Sequence, residues 1–205
     1  MNFPNTLRDI PLKNYQEFLK IEDPGNDDLI KCILNISNAQ LNRFKSKEIE
    51  ALLIHLSDLL ENREDTFIPK FHLNGVEYGF IPNLDDITYG ENKDFTSYIN
   101  DYQTMHKAMA VAYRPIKHKQ GDKYIIEDYK GSSLYSEIMK DAPLDVVLGM
   151  VVFFYNLTSE LLKVTQNYLS KEMEKEIALA ENGEDIANYT RLVKEILGDL
   201  QTSLN

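Results

Sequence analysis

Residues 71–80 read FHLNGVEYGF. Asn-Gly between two short runs rich in aromatic and β-branched residues is a strong hairpin signal, because both central turn positions need positive φ. The stretch therefore predicts a β-hairpin. A second hairpin is expected over Tyr113–Tyr129, with Gly121-Asp122 near the turn and KYIIEDY returning.

Helical patterns surround both. Asp9 can cap a helix carrying Tyr15, Phe18, Leu19 and Ile21, which Pro24-Gly25 ends. Asn26 or Asp27 starts a helix with Leu29, Ile30, Ile33 and Leu34 at 3.6-type spacing. Ser46 caps a third, with Glu48 and Glu50 in its first turn and a stripe of Ile49, Leu52, Leu53, Leu56, Leu59 and Leu60. Another helical segment, Asp101–Ala112, separates the hairpins. Asp141-Ala142-Pro143 reads as N-cap and first-turn proline of a helix running past Leu169. Asn182-Gly183 breaks the pattern before a last amphipathic helix, Ile186–Leu200. The order is helices, hairpin, helix, hairpin, helices. That predicts an α+β fold, mostly helical, with two β-hairpins between an N-terminal helical segment and a long C-terminal helical region. Residues 1–175 read as one α+β domain and 176–205 as a helical extension.

Charge and composition exclude several roles. The 205 residues hold 22 Lys+Arg against 33 Asp+Glu, net −11. Such a chain repels phosphate backbones, so nucleic-acid binding would need a local basic patch. The best candidate, RPIKHKQGDK at 114–123, reads better as a solvated hairpin. The start MNFPNTLRD lacks the basic and apolar regions of a secretion signal. The longest apolar run, VVLGMVVFFY at 146–155, has ten residues where a membrane span needs about 20. It reads as a buried helix segment, and no membrane partner is expected.

No constellation of catalytic residues is visible. Asp85 and Asp86 could do paired carboxylate chemistry, but following Pro82-Asn83 they read as a turn and a helix cap. No two of His55, His72, His106 and His118 share an i, i+4 helical spacing, so no metal or cofactor is expected. A rival hydrolase or nuclease reading would need a composite metal site from Asp85, Asp86, His106 and Glu127. Cys32 stands alone in an apolar context and reads as a buried thiol. Arg114, directly after Ala112-Tyr113, reads as the partner of a buried carboxylate rather than an anion site. The stripe Met150, Phe153, Phe154 and Leu157 is apolar nearly all round. It reads first as core; but a helix of that kind must be covered on most sides, so these four residues are also the candidate partner-binding residues.

Residues 70–168 resemble one known group. NGVEYGFIPNLDDITYGE, NDYQTMHKAMAVAYRPI, the hairpin ending YIIEDY, and MKDAPLDVVLGMVVFFYNLTSELL together look like small proteins encoded among the structural genes of tailed bacteriophages of Bacteroidetes, crAss-like phages above all. The resemblance implies a non-enzymatic virion or assembly protein. It would act by protein–protein contact near the portal and tail, or as cargo, with other phage structural proteins and possibly its own copies as partners. Its place would be the virion, and the host cytoplasm before assembly. The alternatives are a tail-assembly chaperone absent from the finished particle and an inhibitor of a host protein.

Overall fold

The computed structural model describes residues 3–62 and 66–179, the last seven by backbone alone. Two compact units divide the chain, 1–153 and 154–205. The fold is α+β and mostly helical, with two hairpins forming one antiparallel sheet and a long helix toward the C-terminus. The expected helix Ile186–Leu200 lies outside the described residues, as does all but the first four positions of 176–205.

In the first unit, four helices come first: α1 (Leu12–Leu19), α2 (Asn26–Leu34), α3 (Asn38–Leu41) and α4 (Ser46–Glu61). The hairpin of β1 (Lys70–Leu73) and β2 (Val76–Phe80) follows, then α5 (Tyr89–Tyr98) and α6 (Met105–Ala112). The second hairpin is β3 (Tyr113–Gln120) and β4 (Lys123–Ile126). A short α7 (Ser136–Met139) precedes α8 (Leu144–Leu179). The sheet order is β1-β2-β3-β4, all antiparallel, with Tyr78 opposite Pro115 and Phe80 opposite Tyr113.

The turns carry the register. Leu73 pairs with Val76 across Asn74 (φ 51°) and Gly75 (φ 79°), the two positive-φ positions that Asn-Gly supplies. In the second hairpin only Gly121 (φ 60°) is left-handed, so glycine takes the first turn position. Gly75→Ala is expected to cost about 1 kcal/mol, a penalty from the left-handed backbone alone, since nothing lies within 4 Å of a β-carbon there. Urea denaturation of the variant checks this.

Two apolar clusters fill the first unit. One joins Leu7, Ile10, Ile30, Ile33, Leu41, Leu52 and Leu56 to Leu144 and Leu148 at the start of α8. The other is aromatic. Phe71 stacks on Tyr78 at 5.7 Å and meets Tyr113 edge-on at 5.3 Å, while Phe80 meets Tyr113 at 5.3 Å. Phe153 of α8 joins this second cluster, stacked on Phe67 at 4.4 Å and edge-on to Phe80 at 5.6 Å.

The chain's beginning is stitched to the entry of α8. Leu12 N donates to Ala142 O, Lys13 N to Lys140 O, and Leu144 N to Ile10 O, around a Pro11–Pro143 bridge. Lys13 pairs with Asp141 at 2.5 Å and Arg8 with Asp145 at 2.9 Å. Asp141 is therefore an ion-pair partner rather than the expected N-cap. The buried residues of α1 are Leu12, Asn14 and Gln16; of the expected apolar residues, Tyr15 is partly buried against the core and Phe18 is half-buried, while Leu19 is exposed. The buried amides are satisfied: Asn14 Nδ2 donates to Ile33 O at 2.9 Å, and Gln16 Nε2 to Tyr102 O at 2.5 Å. Three expected caps also move. Asp9 closes the turn before α1, accepting from Asn5 N and Thr6 N. Lys45 is the N-cap residue of α4, its N–H held by Glu48 at 2.7 Å. Thr88 and Glu91 form a capping box on α5, in place of Asp85 or Asp86.

Candidate contact surface

The apolar stripe of α8 divides between core and surface. Met150 is fully buried in the first unit, and Phe153 is held by Phe67 and Phe80. Phe154 and Leu157 are half-buried. Beyond them the helix stays apolar while its side chains become exposed: Tyr155 61%, Leu161 59%, Val164 65% and Tyr168 63%. The structure thus assigns Met150 and Phe153 to the protein's own packing. Exposed apolar side chains concentrate at six positions that the sequence reading did not single out, Leu162 and Leu169 being the other two. The signal for them was present as apolar residues at i, i+3, i+4 spacing past Asn156. What sequence could not mark was the point where the core stops covering the helix.

Polar residues sit beside the apolar ones. Asn156, Glu160, Lys163 and Asn167 each precede a residue of the apolar row by one position, which sets them about 100° round the helix. Tyr155, Leu162 and Leu169, also exposed, lie on the far side of the helix from Leu161, Val164 and Tyr168, so apolar side chains flank this polar strip on both sides. The apolar stretch also exceeds the uninterrupted ten-residue run: over Leu144–Glu172, α8 is long and apolar enough to cross a membrane by length and composition.

The loop 81–91 forms the other notable feature. With β4 and the residues after it, it walls a cavity of about 500 Å³. At its base Arg114 Nη1 donates to Glu91 Oε1 at 2.5 Å, both side chains over nine-tenths buried. Glu91 Oε2 also accepts from Thr88 N and Thr88 Oγ1. Burial alone would raise the Glu91 pKa. The hydrogen bonds from Thr88 and Arg114 outweigh it and hold the carboxyl below its ordinary value. Arg114 also lies over the Tyr129 ring at 5.5 Å, and its Nε has no partner. The expected buried ion pair is thus present, made with Glu91. Asp85 and Asp86 are exposed. Asn83 caps their turn, donating from Nδ2 to Asp86 Oδ2 and accepting from Asp85 N.

The remaining candidates are dispersed. His106 is buried on α6 with Nδ1 3.2 Å from Gln16 Nε2, and burial lowers its pKa, so it is neutral at pH 7. Glu127 accepts from the Tyr135 hydroxyl at 2.5 Å; burial, then this bond, push that phenol up to about 12. His55 bonds the Pro4 carbonyl at 2.8 Å. Cys32 is half-buried rather than buried as expected, and partial burial raises its thiol, which disfavours the reactive thiolate. Among the described residues, no group of three His, Cys, Asp or Glu side chains is placed to hold a metal ion. An apolar groove of about 760 Å³ lies along α4, where Phe3 meets Phe44 at 6.2 Å.

Compared with known proteins, the chain matches no family model, no curated protein and no solved structure.

Proposed function

We propose that this protein acts by protein–protein contact, as a structural or assembly component of a tailed bacteriophage particle. The observation that carries this reading is the outer half of α8, where Tyr155, Leu161, Val164 and Tyr168 leave large apolar side chains in water. Exposed apolar side chains gathered on one helix in this way mark an interaction site. The row of Asn156, Glu160, Lys163 and Asn167 favours a protein partner over lipid, since a bilayer would have to bury Glu160 and Lys163 at mid-span. The likeness of residues 70–168 to small phage structural-gene products supports the particle as the setting. The acidic surface keeps the free protein soluble until it docks.

The test is mass spectrometry of purified particles from the encoding phage. The protein is expected in the particles, and Leu161→Glu is expected to lower its incorporation at least about tenfold. Presence in infected cells with absence from particles would replace this reading with that of an assembly chaperone.

A further inference from the structure

We infer that the cavity between loop 81–91 and β4 takes a short extended peptide with a basic side chain, laid beside β4 as an added strand. This goes beyond the reading of α8 and does not depend on it. Tyr124, Ile125 and Ile126 of β4 line the cavity in succession, as do Glu127 and Asp128 after them. Successive residues of a strand point to opposite faces of the sheet, so a cavity that meets all of them runs along the strand's edge. That edge is open: β4 is last in the sheet order, pairs with β3, and leaves Ile125 61% exposed. In a hairpin closed by two residues, the pair flanking the turn exchanges hydrogen bonds and the next pair does not. Lys123 faces Gln120 and Tyr124 faces Lys119, so the main-chain N–H and C=O of Tyr124 are directed to the open edge. An incoming extended segment bonds to groups of this kind.

Charge and one unpaired donor set the chemistry of the occupant. The wall holds four carboxylates, Asp86, Glu91, Glu127 and Asp128, and one cation, Arg114, so 1 − 4 = −3. Glu91 and Arg114 cancel each other at the base. The excess therefore sits on Asp86, Glu127 and Asp128, of which Asp86 and Asp128 are exposed. Lys117 reaches Asp128 only at 3.4 Å, both side chains well in water, and offsets little of it. Such a wall attracts a cationic side chain and repels phosphate or acidic ligands. Arg114 adds a second demand. It is 6% exposed, it lines the cavity, and its Nε is buried without an acceptor. A buried donor left in this state calls for an acceptor from the occupant. A basic peptide brings both parts, a main-chain carbonyl for Arg114 and a cation for the carboxylates. A polyamine brings no acceptor, and an acidic segment brings the wrong charge. The size agrees: about 500 Å³ holds a few residues, and β4 offers four to pair with.

Fluorescence anisotropy of the full chain with a labelled peptide, Lys-Val-Thr-Val-Lys blocked at both ends, tests this. A lysine at each end puts one beside the carboxylates whichever way the added strand runs. Saturable binding is expected at roughly 10–500 µM. Glu-Val-Thr-Val-Glu should bind at least about tenfold more weakly. N-methylation of the three central peptide amides should also cost at least about tenfold, because it removes the strand's hydrogen bonds. In the protein, the double variant Asp86→Asn, Asp128→Asn keeps both side-chain shapes and should weaken binding about fivefold or more, with unchanged circular dichroism. Hydrogen exchange gives a second readout, the Tyr124 amide slowing when the lysine peptide is present. No saturable binding up to about 1 mM would overturn the inference. So would equal binding of the glutamate or methylated peptide, undiminished binding by the double variant, or a Tyr124 amide that the peptide leaves unchanged.

Discussion

Replacing Arg114 with methionine is expected to cost about 3–5 kcal/mol of folding stability, because Glu91 would be left as a buried charge without its counter-ion. Methionine keeps most of the volume, so the loss reports charge rather than packing. The double variant Arg114→Met, Glu91→Gln should recover much of the loss, since neither partner then carries a charge. Urea denaturation of the two single variants and the double variant measures the coupling. The pair also predicts an acid limb. Glu91 titrates below its ordinary value of 4.5 in the folded protein. Its contribution is therefore complete above pH 4.5 and is lost as pH falls through the lower folded value. Glu91→Gln should flatten that part of the stability–pH curve and leave the region near neutrality nearly parallel to the parent.

Gly149→Val is the second large effect, expected to destabilise by about 3 kcal/mol. A β-carbon at 149 would sit 2.4 Å from the Thr66 carbonyl oxygen and 3.4 Å from Phe67 Cα. Both obstacles are backbone atoms, so no rotamer change relieves the clash. Relief requires the 66–67 strand entry to move off α8, which unseats Phe67 from its stack on Phe153. Gly149→Ala should behave the same way with a smaller loss, part of it offset by alanine's helix preference of about 1 kcal/mol. Gly79→Ala makes a useful contrast. There the obstacle is the edge of the Tyr124 ring at 2.5 Å, a side chain able to swing away, so the penalty should be smaller. Thermal denaturation of the three variants would order them.

Local chemistry explains which parts of the fold were legible. Both hairpins could be read because a two-residue turn imposes its own φ requirement, and Asn74-Gly75 and Gly121 meet it whatever surrounds them. The helix α2 was legible for a similar reason, its periodic residues beginning just after Pro24-Gly25. The buried polar positions of α1 were not legible. Asn14 and Gln16 are held by Ile33 O and Tyr102 O, 19 and 86 positions away. Polar residues buried by such tertiary bonds leave no mark in hydrophobic periodicity, which picked out Tyr15 on the core together with exposed Leu19. The same limit applied to the contact surface. Apolar spacing runs through α8 without a change, although its side chains become exposed from Tyr155 on. The Asp85-Asp86 pair misled for a different reason. Thr88 followed by Glu91 is the stronger cap, and Glu91 is additionally held by Arg114, 23 residues further on.

The stitching of residues 10–13 to residues 140–144 has a consequence for how the protein comes into being. The opening helices emerge from the ribosome first, yet Leu144 and Leu148, which complete their cluster, are made about 130 residues later. At ordinary synthesis rates of about 5–20 residues per second, Ile30 and Ile33 wait on the order of ten seconds for their last neighbours. Closing so long a loop is slow. The first unit is thus expected to complete its packing only once the chain has been released at least as far as Phe153, and a nascent chain stalled before that point should be readily digested by protease.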